Sequence, residues 1–122
     1  MKFFAITALV ALLATTVAAD FVFTSPVEGT KWKRGEDVTI SWRDNGHKPL
    51  INSRKKIVIR LAYGHHTKDW NGVDGVNVTL HHPIPLKYRW HVPKNLNPKL
   101  EYFFVITDNT SDQPMSGYFQ VE

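Results

Sequence analysis

Asp37-Val38-Thr39-Ile40-Ser41-Trp42-Arg43 decides the fold. Apolar side chains fall on every second residue, with Val38, Ile40 and Trp42 on one side and Thr39, Ser41 and Arg43 on the other. That is the two-residue period of a β-strand lying with one face on a core and one in water. Working outward, the same alternation returns in Lys56 to Tyr63, Val76 to Leu80 and Tyr88 to Val92. Phe21 to Thr24 opens the series and Phe119 to Val121 closes it. Tyr102 to Thr107 is apolar on both faces, as in a central strand.

No stretch repeats every 3.6 residues. Between the runs lie chain breakers. Asn45-Gly46, Asn71-Gly72 and Asp74-Gly75 favour positive φ, and Pro83 and Pro85 follow His82. Asn97-Pro98 and Asp108 to Pro114 make the last two connections. About seven short strands with such breaks predict an all-β, immunoglobulin-like antiparallel β-sandwich. The expected core is Val38, Ile40, Trp42, Ile59, Leu61, Trp90, Tyr102, Phe104 and Phe119, with Trp42 at its centre.

The N-terminus predicts export. Met1-Lys2 is a basic start, Phe3 to Val17 is apolar apart from threonines, and Val17-Ala18-Ala19 offers the small residues of a cleavage site. The expectation is a signal peptide over 1–19 and a single domain over 20–122, beginning at Asp20. About 100 residues suit one domain, which buries roughly 65% of the surface its unfolded chain exposes. The chain has no cysteine, so no disulfide braces it; its aromatic content of 12% must supply buried area instead. No apolar tail follows Tyr118 to Glu122, so no membrane anchor is expected.

The formal charge is +4, with Lys and Arg scattered apart from Arg54-Lys55-Lys56. A mildly basic exported protein associates with acidic polysaccharide or anionic surfaces; nucleic acid is not an expected partner.

An ordered set of residues adds a resemblance. Ser25-Pro26-x-x-Gly29-x-x-Trp32-x-x-Gly35 precedes Val38-x-Ile40-x-Trp42. Leu61, Gly64, Trp90-x-Val92-Pro93, Tyr102 and Ser116-Gly117-x-Phe119 follow in order. The set resembles the N-terminal domain of the fungal killer-toxin-resistance cell-wall family (Kre/Knh-like), an immunoglobulin-like module. The resemblance implies an extracellular fungal protein tied to cell-wall assembly, with β-1,6-glucan the associated polymer. It supplies no catalytic residues. Beside it, the residues themselves give Gly29 and Gly35 turn positions around a short edge segment carrying Trp32, and Gly117 a bulge or close backbone approach.

The stretch from His65 to His82 holds the residues with chemistry to offer. The pairs His65-His66 and His81-His82 are adjacent, so on a strand each pair points to opposite faces and no shared metal site is expected. HExxH is missing, the glycine of Asp69-x-Asn71-Gly72-x-Asp74 does not fit a calcium loop, and the expected first mature residue is aspartate, not the histidine a copper-dependent polysaccharide oxidase requires. Asp69 and Asp74 are the only carboxylates here for glycoside hydrolysis, and nothing fixes their separation. Trp70 reads as a ring in a polar loop, a candidate glycan contact. Asn77-Val78-Thr79 and Asn109-Thr110-Ser111 are N-glycosylation acceptors.

The expectation is a non-enzymatic secreted monomer, without cofactor or metal, that contacts β-glucan or other wall polysaccharide, or wall proteins. The competing readings are a small glycan-active enzyme, hydrolytic or metal-dependent, and an effector or adhesion domain that binds a host protein.

Overall fold

A computed structural model describes residues 21–44, 54–66, 70–107 and 113–122 of the protein. The signal-peptide expectation for 1–19 and the acceptor Asn109 lie outside the described residues, as does Asp69. Among the described residues there are eight strands: β1 (Phe21–Ser25), β2 (Thr30–Trp32), β3 (Asp37–Asp44), β4 (Lys56–Gly64), β5 (Trp70–His81), β6 (Lys87–His91), β7 (Tyr102–Thr107) and β8 (Phe119–Val121). They form a three-stranded sheet in the order β1-β3-β6 and a five-stranded sheet in the order β2-β8-β7-β4-β5. Among the described residues no helix is long and apolar enough to cross a membrane.

The alternation that opens the sequence drives the packing. Ile40 and Trp42 are buried from the small sheet, while Ile57, Ile59, Leu61, Tyr102, Phe104, Ile106, Phe119 and Val121 meet them from the large one. Each such aliphatic or aromatic side chain contributes about 1.5–3 kcal/mol before conformational entropy is counted. Trp42 is 2% exposed, and its indole Nε1–H donates to the Pro85 carbonyl at 2.9 Å, so its one polar atom is not stranded. Trp90 meets Phe104 edge to face with ring centroids 4.9 Å apart.

The structure amends the sequence reading in three places. Val38 is only half-buried and packs against the core rather than inside it; it sits near the start of β3, beside exposed Asp37. The eighth strand is β2, and it runs parallel to β8, with Thr30 opposite Phe119 and Trp32 opposite Val121. The sandwich is therefore not wholly antiparallel. Gly29 and Gly35 bracket β2 at φ of 87° and 91°, a region that disfavours residues carrying a Cβ.

The third amendment concerns Trp70. It does not lie in a loop: it opens β5, opposite Gly64 of β4. Asn71-Gly72 and Asp74-Gly75 are likewise inside this strand, not in a connection. Pairing with β4 breaks between Arg60 and Ala62, where β5 carries extra residues, and Gly75 takes φ 77° within that bulge. The polar, glycine-containing stretch is thus an irregular edge strand.

Candidate functional site

β7 explains where a site arises. Tyr102, Phe104 and Ile106 point into the sandwich, whereas Phe103 and Val105 point to the outer face of the five-stranded sheet. Both outward residues are fully buried, at 0% exposure. Two large apolar groups on an outer face must be covered, and the cover is aromatic. With Ala62 of β4 they form a second cluster, roofed by Trp70, Met115 and Tyr118.

The roof is an ordered stack. His66 lies flat on Tyr118, with centroids 4.2 Å apart and planes 7° from parallel, and meets Phe103 edge to face at 4.4 Å. The His66 backbone N–H donates to the Tyr118 phenol oxygen at 3.0 Å. Tyr118 meets Phe103 edge to face at 5.5 Å, and Trp70 does so at 6.2 Å from the other side. Such edge-to-face pairs each contribute about 0.5–1.5 kcal/mol beyond area burial. Trp70, His66 and Tyr118 remain half-buried, each with part of its ring in solvent.

Burial pulls the His66 imidazole below its ordinary pKa; the nearby Glu28 charge and the Ser116 backbone act in the opposite direction. His66 Nε2 is buried and has no hydrogen-bond partner among the described residues, which favours the neutral ring. Arg60 stands on the same outer face. A Cβ built on Gly72 would sit 2.5 Å from Arg60 Nη2, so the missing side chain leaves the space the guanidinium occupies. The surface is therefore a set of fixed rings with a cation beside them. It can stack on the apolar face of a pyranose and donate hydrogen bonds to its hydroxyls.

Of the residues singled out by sequence, Trp70 belongs to this surface. Asn77 is exposed in β5 opposite Arg60, on the side away from Val76 and Val78, which pack against the core. Asp74 is exposed. The histidine pairs separate: His66 is held in the stack, and His81 and His82 are exposed at the far end of β5. Among the described residues no group of three or more His, Cys, Asp or Glu is placed to hold a metal ion.

His66, Tyr118 and Arg60 are not marked by any motif. One signal for them was present: a run apolar on both faces, Tyr102 to Ile106, requires a lid on its outer side.

No curated protein matches the sequence. The family model for the Kre9/KNH-like N-terminal Ig-like domain matches residues 25–121. That family is linked to fungal cell-wall glucan synthesis and is not a known enzyme family. With the motif set running from Ser25 to Phe119 placed on a cysteine-free two-sheet sandwich, the chain belongs to the Kre9/KNH-like N-terminal Ig-like domain family.

Proposed function

We propose that this chain is a secreted, non-enzymatic module of the fungal cell wall that binds wall β-glucan through the outer face of its five-stranded sheet. The observation that carries this reading is the roof of fixed rings. Trp70 and Tyr118 are anchored edge to face on Phe103, which is itself fully buried. Rings held in place before the ligand arrives lose little freedom on binding, which is what a stacking site for sugars requires. The family's link to glucan synthesis supplies the polymer class. A module of this kind acts by holding chains together during matrix assembly, not by cutting or forming bonds.

Asn77 and Asn109 are proposed to carry N-glycans. The Asn77 glycan would project beside Arg60, next to the ring surface, so the test is made on protein with and without its glycans. Mature protein is applied to a glycan array and to insoluble β-glucan. Binding confined to β-glucans, weakened at least about tenfold by Trp70→Ala (about 1.4 kcal/mol), is expected. A blank array with both glycoforms, or binding indifferent to Trp70→Ala, refutes the reading.

A further inference from the structure

The two sheets present opposite kinds of outer surface. On the three-stranded sheet Ile40, Trp42 and Trp90 point inward. The alternate residues point out: Asp37, Thr39, Ser41 and Arg43 on β3, and Lys87, Arg89 and His91 on β6. Cross-strand register sets them in rows, His91 beside Asp37, Arg89 beside Thr39 and Lys87 beside Ser41. Val22 of β1 completes the next row opposite Arg43. Thr24 and Ser41 join their hydroxyls at 2.6 Å along the margin.

Among the described residues this face holds Arg43, Lys87 and Arg89, with His91 beside them, against the one carboxylate of Asp37. Asp37 is bound by two of them, by His91 Nδ1 at 2.8 Å and by Arg89 Nη2 at 3.3 Å. Lys87 has no carboxylate partner among the described residues. Arg89 and His91 stay open to solvent, with side chains 79% and 60% exposed. The row Lys87-Arg89-His91 repeats every second residue, so its polar side chains stand about 7 Å apart along one strand, two of them cations.

We infer that the outer face of β3 and β6 is a docking surface for an acidic polysaccharide, a polymer with carboxylates at regular intervals. Three features of the face select that occupant. Its charge is complementary to a polyanion, and it is spread along a line, not gathered at a point. Arginine and lysine donate to carboxylate oxygens, while Thr39 and Ser41 between the rows offer hydroxyls to neutral ring positions. Among the described residues the face carries no Phe, Tyr or Trp and only the half-buried Val22 as an aliphatic group, so it has little to insert into a bilayer. A plain solvated edge strand, kept charged to prevent sheet-to-sheet pairing, would show the same lysine but no selective affinity for the polymer. With glucan on one sheet and polyanion on the other, a single domain would bridge two wall polymers.

The test uses the full secreted chain on immobilised polygalacturonate, with vesicles of phosphatidylglycerol and phosphatidylcholine as the second arm. Retention on polygalacturonate at about 20 mM NaCl and its loss at about 1 M NaCl are expected, because the Debye length shrinks to about 3 Å. The double variant Lys87→Gln/Arg89→Gln should bind at least about fivefold more weakly. Arg43→Gln alone, which spares the Asp37 cluster, should shift binding in the same direction. Trp70→Ala should leave it unchanged, so failure here is separable from failure of the glucan reading. No retention at low salt overturns the inference, as does an equal loss in the charge-matched control Lys31→Gln/Lys99→Gln. Tighter association with the vesicles than with the polymer also overturns it, in favour of a lipid partner.

Discussion

Replacing Ser116 by alanine removes one oxygen and should cost more than its size suggests. Ser116 is 2% exposed and sits where the chain returns toward β8 alongside β7. Its backbone N–H donates to the Phe104 carbonyl at 2.9 Å, as a ladder partner would. The reciprocal bond is not made by backbone: the Phe104 N–H donates instead to Ser116 Oγ at 2.9 Å, and that hydroxyl donates on to the Gly117 carbonyl at 2.9 Å. In Ser116→Ala the Phe104 N–H stays buried with no acceptor, which costs about 1–3 kcal/mol. Taking about 2 kcal/mol, the midpoint of thermal unfolding should fall by about 8–16 °C for a domain near 100 residues. Urea unfolding should show a lower midpoint with an unchanged slope, since no extra surface is exposed. Ser41→Ala is the control, because it removes a hydroxyl whose bond to Thr24 lies at the surface; it should stay within about 0.5 kcal/mol. If Ser116→Ala costs no more than Ser41→Ala, the hydroxyl is not the acceptor of a buried N–H, and this account of the β7–β8 junction fails.

Gly117→Ala places a Cβ 2.4 Å from the Glu28 nitrogen and 2.8 Å from the Val27 carbonyl carbon, both backbone atoms that cannot rotate away. A loss of about 3 kcal/mol by urea unfolding is expected, and a change within about 0.5 kcal/mol would contradict the close approach. The pH dependence follows from the depressed His66 pKa: the unfolded chain takes up this proton first, so stability is full above the ordinary histidine value of about 6.5 and declines as pH falls below it. His66→Gln should remove that slope; Asp37, whose carboxyl is held below its ordinary value chiefly by the His91 hydrogen bond, acts only in the lower window below about 3.9 and should leave it intact.

The strands that line the core were legible because their chemistry is local. Ile40 and Trp42, Ile59 and Leu61, and Tyr102 and Phe104 each repeat at two residues, and burial follows from that spacing alone. Two features were hidden because their causes lie across the sequence. Gly117 was visible as a motif position, but what it avoids is the backbone at Val27 and Glu28, close to the other end of the domain. Trp70 looked like a loop residue because its neighbours Asn71 and Gly72 are polar or small. Gly72 is small for the sake of Arg60 on the next strand, and the partner of Trp70 is Phe103, more than thirty residues away. Period-2 reasoning also treats an outward face as polar by default, and β7 breaks that rule with Phe103 and Val105.

That break is where a functional reading gains its footing. An outer face needs no buried apolar cluster to be stable, and the three-stranded sheet has only the half-buried Val22 there among the described residues, presenting polar side chains at its other outward positions. The five-stranded sheet instead buries Ala62, Phe103 and Val105 outside the core and then spends Trp70, Tyr118 and His66 to cover them. A polar substitution at Phe103 would have dispensed with the roof altogether. The domain keeps both, and so holds three aromatic rings half in water in fixed orientation. The main core, with Trp42, Trp90, Phe104 and Phe119 already closed between the sheets, does not require them. Rings that the core does not need, held rigid at the surface, are the arrangement a sugar-stacking surface calls for.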